Sequence, residues 1–175
     1  RVIYSGTLAL KHNPKLIEAV AKNNPEIEVV VVGAGVGIDY LHEIKENLFN
    51  LKILPLQPFS KFSQVLSCAD ILVGVIESEA GEFSVPSKIL SYLCAGRPIV
   101  LAAPKENLAS EIVKTSGAGI VVDSSDEIGF SEAIGGLIGD RARLQVMGEQ
   151  ARKYAEENFD INHITDRFMA IFEKI

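Results

Sequence analysis

The chain of 175 residues has no tryptophan, two cysteines and fewer basic than acidic side chains. With 17 Lys and Arg against 23 Asp and Glu, its formal net charge of -6 argues against a broad surface for binding nucleic acid. The two cysteines and three histidines lie far apart in sequence and make no zinc-binding pattern. Neither a G-x-S-x-G motif nor a P-loop occurs. We therefore expect no metal site and no nucleic-acid partner.

Long apolar runs are also missing. No segment approaches the roughly 20 apolar residues that a transmembrane helix needs, and the sequence does not open with the features of a signal peptide. Cys68 and Cys94 lie inside apolar helical patterns, which predicts reduced thiols in the core of a cytoplasmic protein. A cytoplasmic location is therefore expected. Association of the full-length protein with the inner face of a membrane is compatible with this expectation.

The sequence does contain many apolar residues, arranged in alternating strand-like and helix-like segments. Hydrophobic residues make up 47% and charged residues 23%, which is typical of a folded domain with a sizeable core. The segment 27–32 is rich in β-branched residues, as expected for a strand covered on both faces. Strands are predicted at 2–4, 27–32, 51–54, 71–76, 99–102 and 120–122. Helices are predicted at 13–22, 39–46, 59–67, 86–95, 107–115, 127–138, 141–157 and 161–173.

This alternation predicts one α/β domain. Six strands that alternate with helices favour a doubly wound, Rossmann-like, mostly parallel six-stranded sheet with helices on both faces and further helices appended at the C-terminus. The turn with Gly33, Gly35 and Gly37 does not make it a dinucleotide-binding domain. The G-x-G-x-x-G pattern requires a glycine where Ile38 stands, and no acidic residue follows at the expected distance. NAD is therefore not expected, and the simplest interpretation is a flexible turn.

The most informative segment is residues 83–100, with the sequence FSVPSKILSYLCAGRPIV. It follows a predicted strand and an acidic loop, and its pattern indicates a short helix, a glycine stop and a new strand. A helix that begins beyond the carboxyl end of a parallel strand directs free backbone amides into the crevice where such folds bind ligands. Ser84, Ser87 and Lys88 cluster at that start, and a lysine there opposes the helix dipole unless an anion shares the site. The pattern predicts a phosphate or diphosphate site; helix capping by Ser84 and an ion pair between Lys88 and Glu82 are the purely structural interpretations.

Three segments in order resemble the C-terminal, donor-binding domain of GT-B glycosyltransferases of the group 1 type, as in bacterial cell-surface polysaccharide synthesis. The first is YSGTLALKHN at 4–13. The second is LQPFS at 56–60 with CADI at 68–71, and the third is the V-P-S-K…Y…A-G-R-P run at 85–98. The resemblance covers nearly the whole chain. It implies a nucleoside diphosphate sugar as substrate, with a UDP-sugar favoured, a glycan or lipid-linked acceptor and no separate cofactor. Since the chain does not begin with Met, we expect a piece of a longer protein. The resemblance then implies that this single domain lacks its N-terminal acceptor domain and transfers nothing by itself.

The resemblance also implies roles for individual residues. The predicted catalytic groups are Lys88, Lys11 and Glu77. The residues predicted to contact the donor diphosphate are Gly6, Thr7, Ser84, Val85 and Ser87. Those predicted to contact the nucleoside are Gly33, Gln57, Phe59 and Ser91. No metal is required, because lysines and helix amides can supply the positive field that stabilises a leaving diphosphate.

Two positions depart from the family pattern. Thr7 stands where many relatives carry Arg, and Ser91 stands where many retaining relatives carry the second of two glutamates, the one that binds the ribose. The acidic residues left as candidates to face the donor sugar are Glu77, Glu79 and Glu82. The same three residues also fit a solvated acidic loop without a ligand.

Three further features each allow two interpretations. Lys11 fits either a ligand contact or a solvated surface, and Phe59 fits either a base contact or a hydrophobic staple of the following helix. The apolar stripe of the last helix fits packing on its own sheet or, as in the family, a return to the partner domain. Two more functions are compatible with the sequence: a nucleotide-sugar epimerase of GT-B-like fold, and a non-catalytic module whose pocket has decayed.

Overall fold

The computed structural model describes residues 1–9, 12–77 and 87–173, and these ranges form six strands and eight α-helices. The strands are β1 (Val2–Thr7), β2 (Val29–Ala34), β3 (Leu51–Leu54), β4 (Ile71–Val75), β5 (Ile99–Ala102) and β6 (Gly119–Val122). The helices are α1 (Lys15–Asn23), α2 (Val36–Ile44), α3 (Phe59–Ser67), α4 (Ser87–Cys94), α5 (Leu108–Thr115), α6 (Glu127–Ile138), α7 (Arg141–Asn158) and α8 (Ile161–Phe172). A 3₁₀ turn at Lys45–Asn47 follows α2.

The strands form one sheet in the order β3-β2-β1-β4-β5-β6, and every pairing between the described strands is parallel. The chain runs outward from β1 to one edge of the sheet, returns to place β4 beside β1, and then runs to the other edge. The winding direction therefore reverses between β1 and β4. Open parallel sheets bind ligands at such a switch point, beyond the carboxyl ends of the strands. The predicted fold class is confirmed.

Each face of the sheet carries its own apolar layer. On one face, strand residues such as Tyr4 and Val31 pack against α1, α2 and α6. On the other face, residues such as Leu72 and Leu101 pack against α3, α4, α5 and α7. Because both faces are covered, alternate residues of a central strand are buried in opposite directions, which explains the nearly continuous apolar runs in the sequence.

All fourteen predicted elements are present, four with the predicted bounds and the others with shifted ends, and two of the shifts have identifiable reasons. β3, α3, β5 and α6 have the predicted bounds. β1 extends to Thr7 because Gly6 and Thr7 pair with Gly33 and Ala34 of β2. α2 begins at Val36, earlier than predicted, because Gly35 takes a φ of 119° and serves as its N-cap.

The two cysteines correct one expectation. Cys68 and Cys94 are both exposed free thiols, so the prediction of core thiols is wrong. Cys68 is the C-cap residue of α3 and Cys94 is the last residue of α4. A helical apolar pattern places a residue on a face, but the last turn of a helix can extend beyond the layer that covers that face.

The terminal helix α8 has no buried residue. Its exposed apolar side chains are Ile161, Phe168, Met169, Ile171 and Phe172. The interpretation in which this stripe packs on its own sheet is therefore wrong. Across the described ranges, no helix is both long enough and apolar enough to cross a membrane.

Candidate functional site

The switch point between β1 and β4 is held by a buried tyrosine. The two strands pair at Val2–Ile71 and Ile3–Leu72, near their amino ends. Further along, the amide of Ser5 donates to the hydroxyl of Tyr92 (3.1 Å), and that hydroxyl lies 3.3 Å from the carbonyl oxygen of Val73 and 3.4 Å from that of Ser5. One hydroxyl donates one proton at a time, so the two carbonyls share it. A side chain of α4 thus satisfies backbone groups where β1 and β4 separate.

Tyr92 is fully buried, and burial raises the pKa of its phenol because the charged form is poorly solvated there. It therefore stays a neutral hydrogen-bonding group at any physiological pH. Tyr92 lies four residues after Lys88, so both side chains project from the same face of α4. The anchor at Tyr92 therefore helps to hold the face of α4 from which Lys88 projects against the end of β1.

Lys88 is half-buried in the first turn of α4, and its Nζ lies 3.8 Å from the centroid of the Tyr4 ring. Burial lowers the pKa of Lys88 to about 8, because the ammonium loses water. No carboxylate in the part of the chain that the structure describes forms an ion pair with it. The group is still mainly protonated at neutral pH, and such a cation suits an anionic ligand.

Gly6 allows Lys88 to approach the end of β1. A Cβ atom at Gly6 would lie 3.2 Å from Lys88 Cε and 3.4 Å from Nζ, and the residue has a φ of 124° that disfavours other side chains. The close neighbour of Gly6 is thus the lysine predicted to hold the phosphate. Thr7 follows Gly6, Ser87 precedes Lys88, and both are exposed, so the approach of Lys88 to Gly6 places these four residues at one edge of the sheet.

The glycine turn after β2 packs against the loop that follows β1. A side chain at Gly33 would overlap the carbonyl oxygen of Gly6 and lie 2.9 Å from Ile38 Cδ1. The amide of Leu8 donates to Ala34 O, and the amide of Gly37 donates to Leu8 O, both at 2.9 Å. The turn is therefore tightly packed, and the interpretation of it as merely flexible is wrong. A nucleoside contact by Gly33 stays a prediction.

The loop after β1 has one further internal hydrogen bond and one to helix α6. The amide of Ala9 donates to His12 Nδ1 (3.1 Å), and Asn13 takes a positive φ of 41° just before α1. The side chain of Asn13 donates to Glu127 Oε1 (3.3 Å) on α6. These contacts hold the described ends of the loop on either side of Lys11.

The predicted nucleoside contacts are dispersed. Gln57 is half-buried and donates to the carbonyl of Pro55 (2.9 Å), while the side chain of Ser91 donates to the carbonyl of Ser87 (3.2 Å). Phe59 is 91% exposed and stacks on Phe62 of the same helix, with ring centroids 6.2 Å apart. A hydrophobic staple joins the residue before the N-cap to the fourth residue of a helix. Phe59 follows the N-cap and is the first residue of α3, so the staple interpretation is wrong. Gln57 and Phe59 follow β3, which lies two strands away from β1.

Several predicted site residues lie outside the described residues: Lys11, Ser84, Val85, Glu79 and Glu82. The capping role of Ser84 and the ion pair between Lys88 and Glu82 therefore stay predictions. Glu77 follows β4 at the carboxyl edge of the sheet and is half-buried.

Two residues of this site were missed in the sequence. Tyr4 has the appearance of a core residue of an apolar strand, and Tyr92 that of a core residue of a helix. The spacing of four between Lys88 and Tyr92 was the available signal, because it places both on one face. No sequence pattern linked Tyr4 to Lys88, since their contact joins β1 to α4.

A cavity of about 520 Å³ lies at the opposite end of the sheet, between α4 and α7. Its lining includes Arg97 and Arg152, but their guanidinium groups donate to the carbonyls of Ser67 (2.6 Å) and Cys94 (2.9 Å). These arginines support helix ends, and the cavity is far from the switch point. In the described chain, no group of three or more His, Cys, Asp and Glu side chains could hold a metal ion.

Comparison with known proteins agrees with this architecture. A family model described as "Glycosyl transferases group 1" matches residues 1–154. The uncharacterized glycosyltransferase MJ1069 of Methanocaldococcus jannaschii is 26% identical over 152 residues, which is 86% of this chain and 38% of that protein. The chain therefore spans well under half the length of this curated relative.

Solved structures share the fold. Alr3699/HepE from Anabaena, in complex with UDP, superposes with a TM-score of 0.80 at 20% identity, over 99% of this chain and 49% of that one. The C-terminal domain of LpcC, a glycosyl transferase group 1 family protein from Francisella tularensis, gives a TM-score of 0.71 at 17% identity, over 91% of this chain and 86% of that domain. The match is thus to half of a larger chain in the first case and to most of a separate domain in the second.

Proposed function

The chain belongs to the group 1 family of glycosyl transferases, and from that premise we propose that it is the C-terminal domain that binds the nucleoside diphosphate sugar. The main support for the proposal is the environment of Lys88. This residue is a half-buried cation at the switch point, and it has no acidic partner among the described residues. A diphosphate bound in the crevice supplies the missing negative charge. In this proposal the amides of the first turn of α4, a position where amides have no acceptor within the helix itself, also face the diphosphate.

In this proposal the domain contributes electrostatic catalysis. Lys88 neutralises the charge that grows on the leaving diphosphate as the bond to the sugar breaks, and the helix amides share that charge. Ser87 and Thr7 donate hydroxyl hydrogen bonds at its edge. Lys11, Ser84 and Val85 complete the diphosphate site, and Glu77 is the described acidic residue that follows β4 toward the sugar.

The proposed donor is a UDP-sugar. Solved structures of Anabaena HepE contain UDP or UDP-glucose, and that protein shares the fold of this chain over nearly its whole length. The acceptor, a glycan or lipid-linked sugar, is proposed to bind mainly to a second domain of a longer cytoplasmic protein. The isolated chain is then expected to bind the donor weakly and to transfer no sugar.

A nucleotide titration tests the proposal. Calorimetry with UDP, GDP and ADP should show saturable binding, with UDP the tightest of the three. Selective binding of GDP or ADP would support the diphosphate site and overturn the choice of base. No heat and no saturation with any nucleotide at millimolar concentration would contradict the proposal and favour a non-catalytic module.

The affinity for UDP should also depend on pH. Because the pKa of Lys88 is about 8 in the free chain and an adjacent diphosphate raises it, binding takes up a proton at higher pH. UDP binding should therefore weaken by about tenfold between pH 7 and pH 9, as the free lysine loses its charge. In a Lys88→Ala variant the weaker binding should show little of this dependence. An equal pH dependence in the two proteins would contradict the assignment to Lys88.

A further inference from the structure

We propose that Tyr4 is a positioning residue for Lys88, whose ammonium its ring holds at the carboxyl end of β1, directed toward the diphosphate. The identity of the anion rests on the function proposed above. The contact between ring and ammonium rests on geometry alone, so the two can be tested separately.

The contact has the geometry of a cation–π interaction. Nζ of Lys88 lies 3.8 Å from the centroid of the Tyr4 ring, well inside the roughly 6 Å over which such pairs attract. Tyr4 is 1% exposed and Lys88 is half-buried, so little water competes for the ammonium. Desolvated pairs are the strongest of this class.

The ring itself is fixed. The hydroxyl of Tyr4 donates to the carbonyl of Thr7 at 2.6 Å, at the end of the same strand. The body of the ring packs in the apolar layer between the sheet and helices α1, α2 and α6. The ring is thus fixed at its tip and along its sides, and it offers one face to Lys88.

Two other groups restrict Lys88. The bare backbone of Gly6 leaves just enough room for the lysine stem, since a Cβ there would lie 3.2 Å from Cε. Tyr92 joins α4 to β1 one helical turn further along. With its stem and its ammonium both held, Lys88 loses side-chain freedom before any ligand arrives, and a preorganised cation binds an anion at a smaller entropic cost.

The competing role for Tyr4 is that of an ordinary core residue. A leucine would keep that position in the layer apolar, although it is smaller than tyrosine, and it offers no electron-rich face to a buried cation. The two roles therefore predict different outcomes for a variant without the ring and a variant that keeps it.

A double-mutant cycle on UDP binding separates the two roles. Tyr4→Leu should weaken UDP binding about tenfold, and Tyr4→Phe, which keeps the ring, should stay within about threefold of wild type. In the Lys88→Ala background, Tyr4→Leu should change the affinity by less than about twofold, because the residue through which it acts is gone. Wild-type affinity in Tyr4→Leu, or the same loss in both backgrounds, would overturn the proposal.

A ligand-free measurement keeps the test valid if Tyr4→Leu does not fold or if wild type binds no nucleotide. The ε-methylene protons of Lys88, assigned by comparison with Lys88→Ala, should be shifted upfield of those of the exposed lysines by the ring current of Tyr4. Tyr4→Phe should keep that shift. A wild-type Lys88 signal among those of the exposed lysines would overturn the proposal whatever the affinity for UDP.

Discussion

Lys88→Ala should weaken the binding of UDP by about a hundredfold, the largest effect on affinity that we expect from one substitution. The diphosphate would lose its charge-assisted partner in a site where little water can replace the ammonium. The fold should not suffer, because the ammonium is costly to bury and no described carboxylate depends on it. Calorimetric titration of the variant with UDP, with its thermal midpoint recorded alongside, measures both properties.

Lys114→Ala provides the matched control. Lys114 is an exposed residue in the last turn of α5, so the substitution removes the same net charge from a place distant from the switch point. It should change UDP affinity by less than about twofold, since exposed charges beyond a Debye length are screened. If both lysine variants lose affinity by a similar factor, the effect is one of overall charge and the assigned site is wrong.

Gly33→Ala should reduce the free energy of unfolding by about 3 kcal/mol, since overpacking a close backbone contact forces the strands to move. Its new methyl group would overlap the carbonyl oxygen of Gly6, its pairing partner on β1. The shift would also displace Gly6 from Lys88, so the variant should bind UDP more weakly even where it is fully folded. Urea unfolding followed by circular dichroism measures the loss of stability.

Gly136→Ala is the control for that substitution. Gly136 lies within α6, and a Cβ there would meet nothing within 4 Å. Alanine should therefore stabilise the chain by up to about 1 kcal/mol through helix propensity alone. Equal stabilities for the Gly33 and Gly136 variants would show that β1 and β2 are not packed as closely as described.

The fold could be predicted from the sequence because its signals are local. The β-branched run at β2 and the apolar stripes of the helices identify a parallel sheet covered on both faces, and the order of elements favours double winding. Features that depend on distant segments were not predictable in the same way. The glycine turn resembles a flexible loop until the loop after β1 is placed against it.

For the candidate site, too, local features could be predicted from the sequence and contacts between distant segments could not. The position of Lys88 at the start of a helix beyond a strand is a local signal, and this signal alone predicts a phosphate site. The contact with Tyr4 and the anchor at Tyr92 join segments that are distant in sequence. The wrong expectation for Cys68 and Cys94 has a related cause, because periodicity does not show how far a covering layer extends along a helix.

The donor site at the switch point can be tested by a backbone-amide NMR titration of the labelled chain with UDP, because this titration locates the bound nucleotide on the fold. We expect the largest shifts at Gly6, Thr7, Ser87 and Lys88, where β1 and β4 separate. Shifts concentrated around Arg97 and Arg152 at the opposite end of the sheet, or no saturable shifts at millimolar UDP, would contradict it.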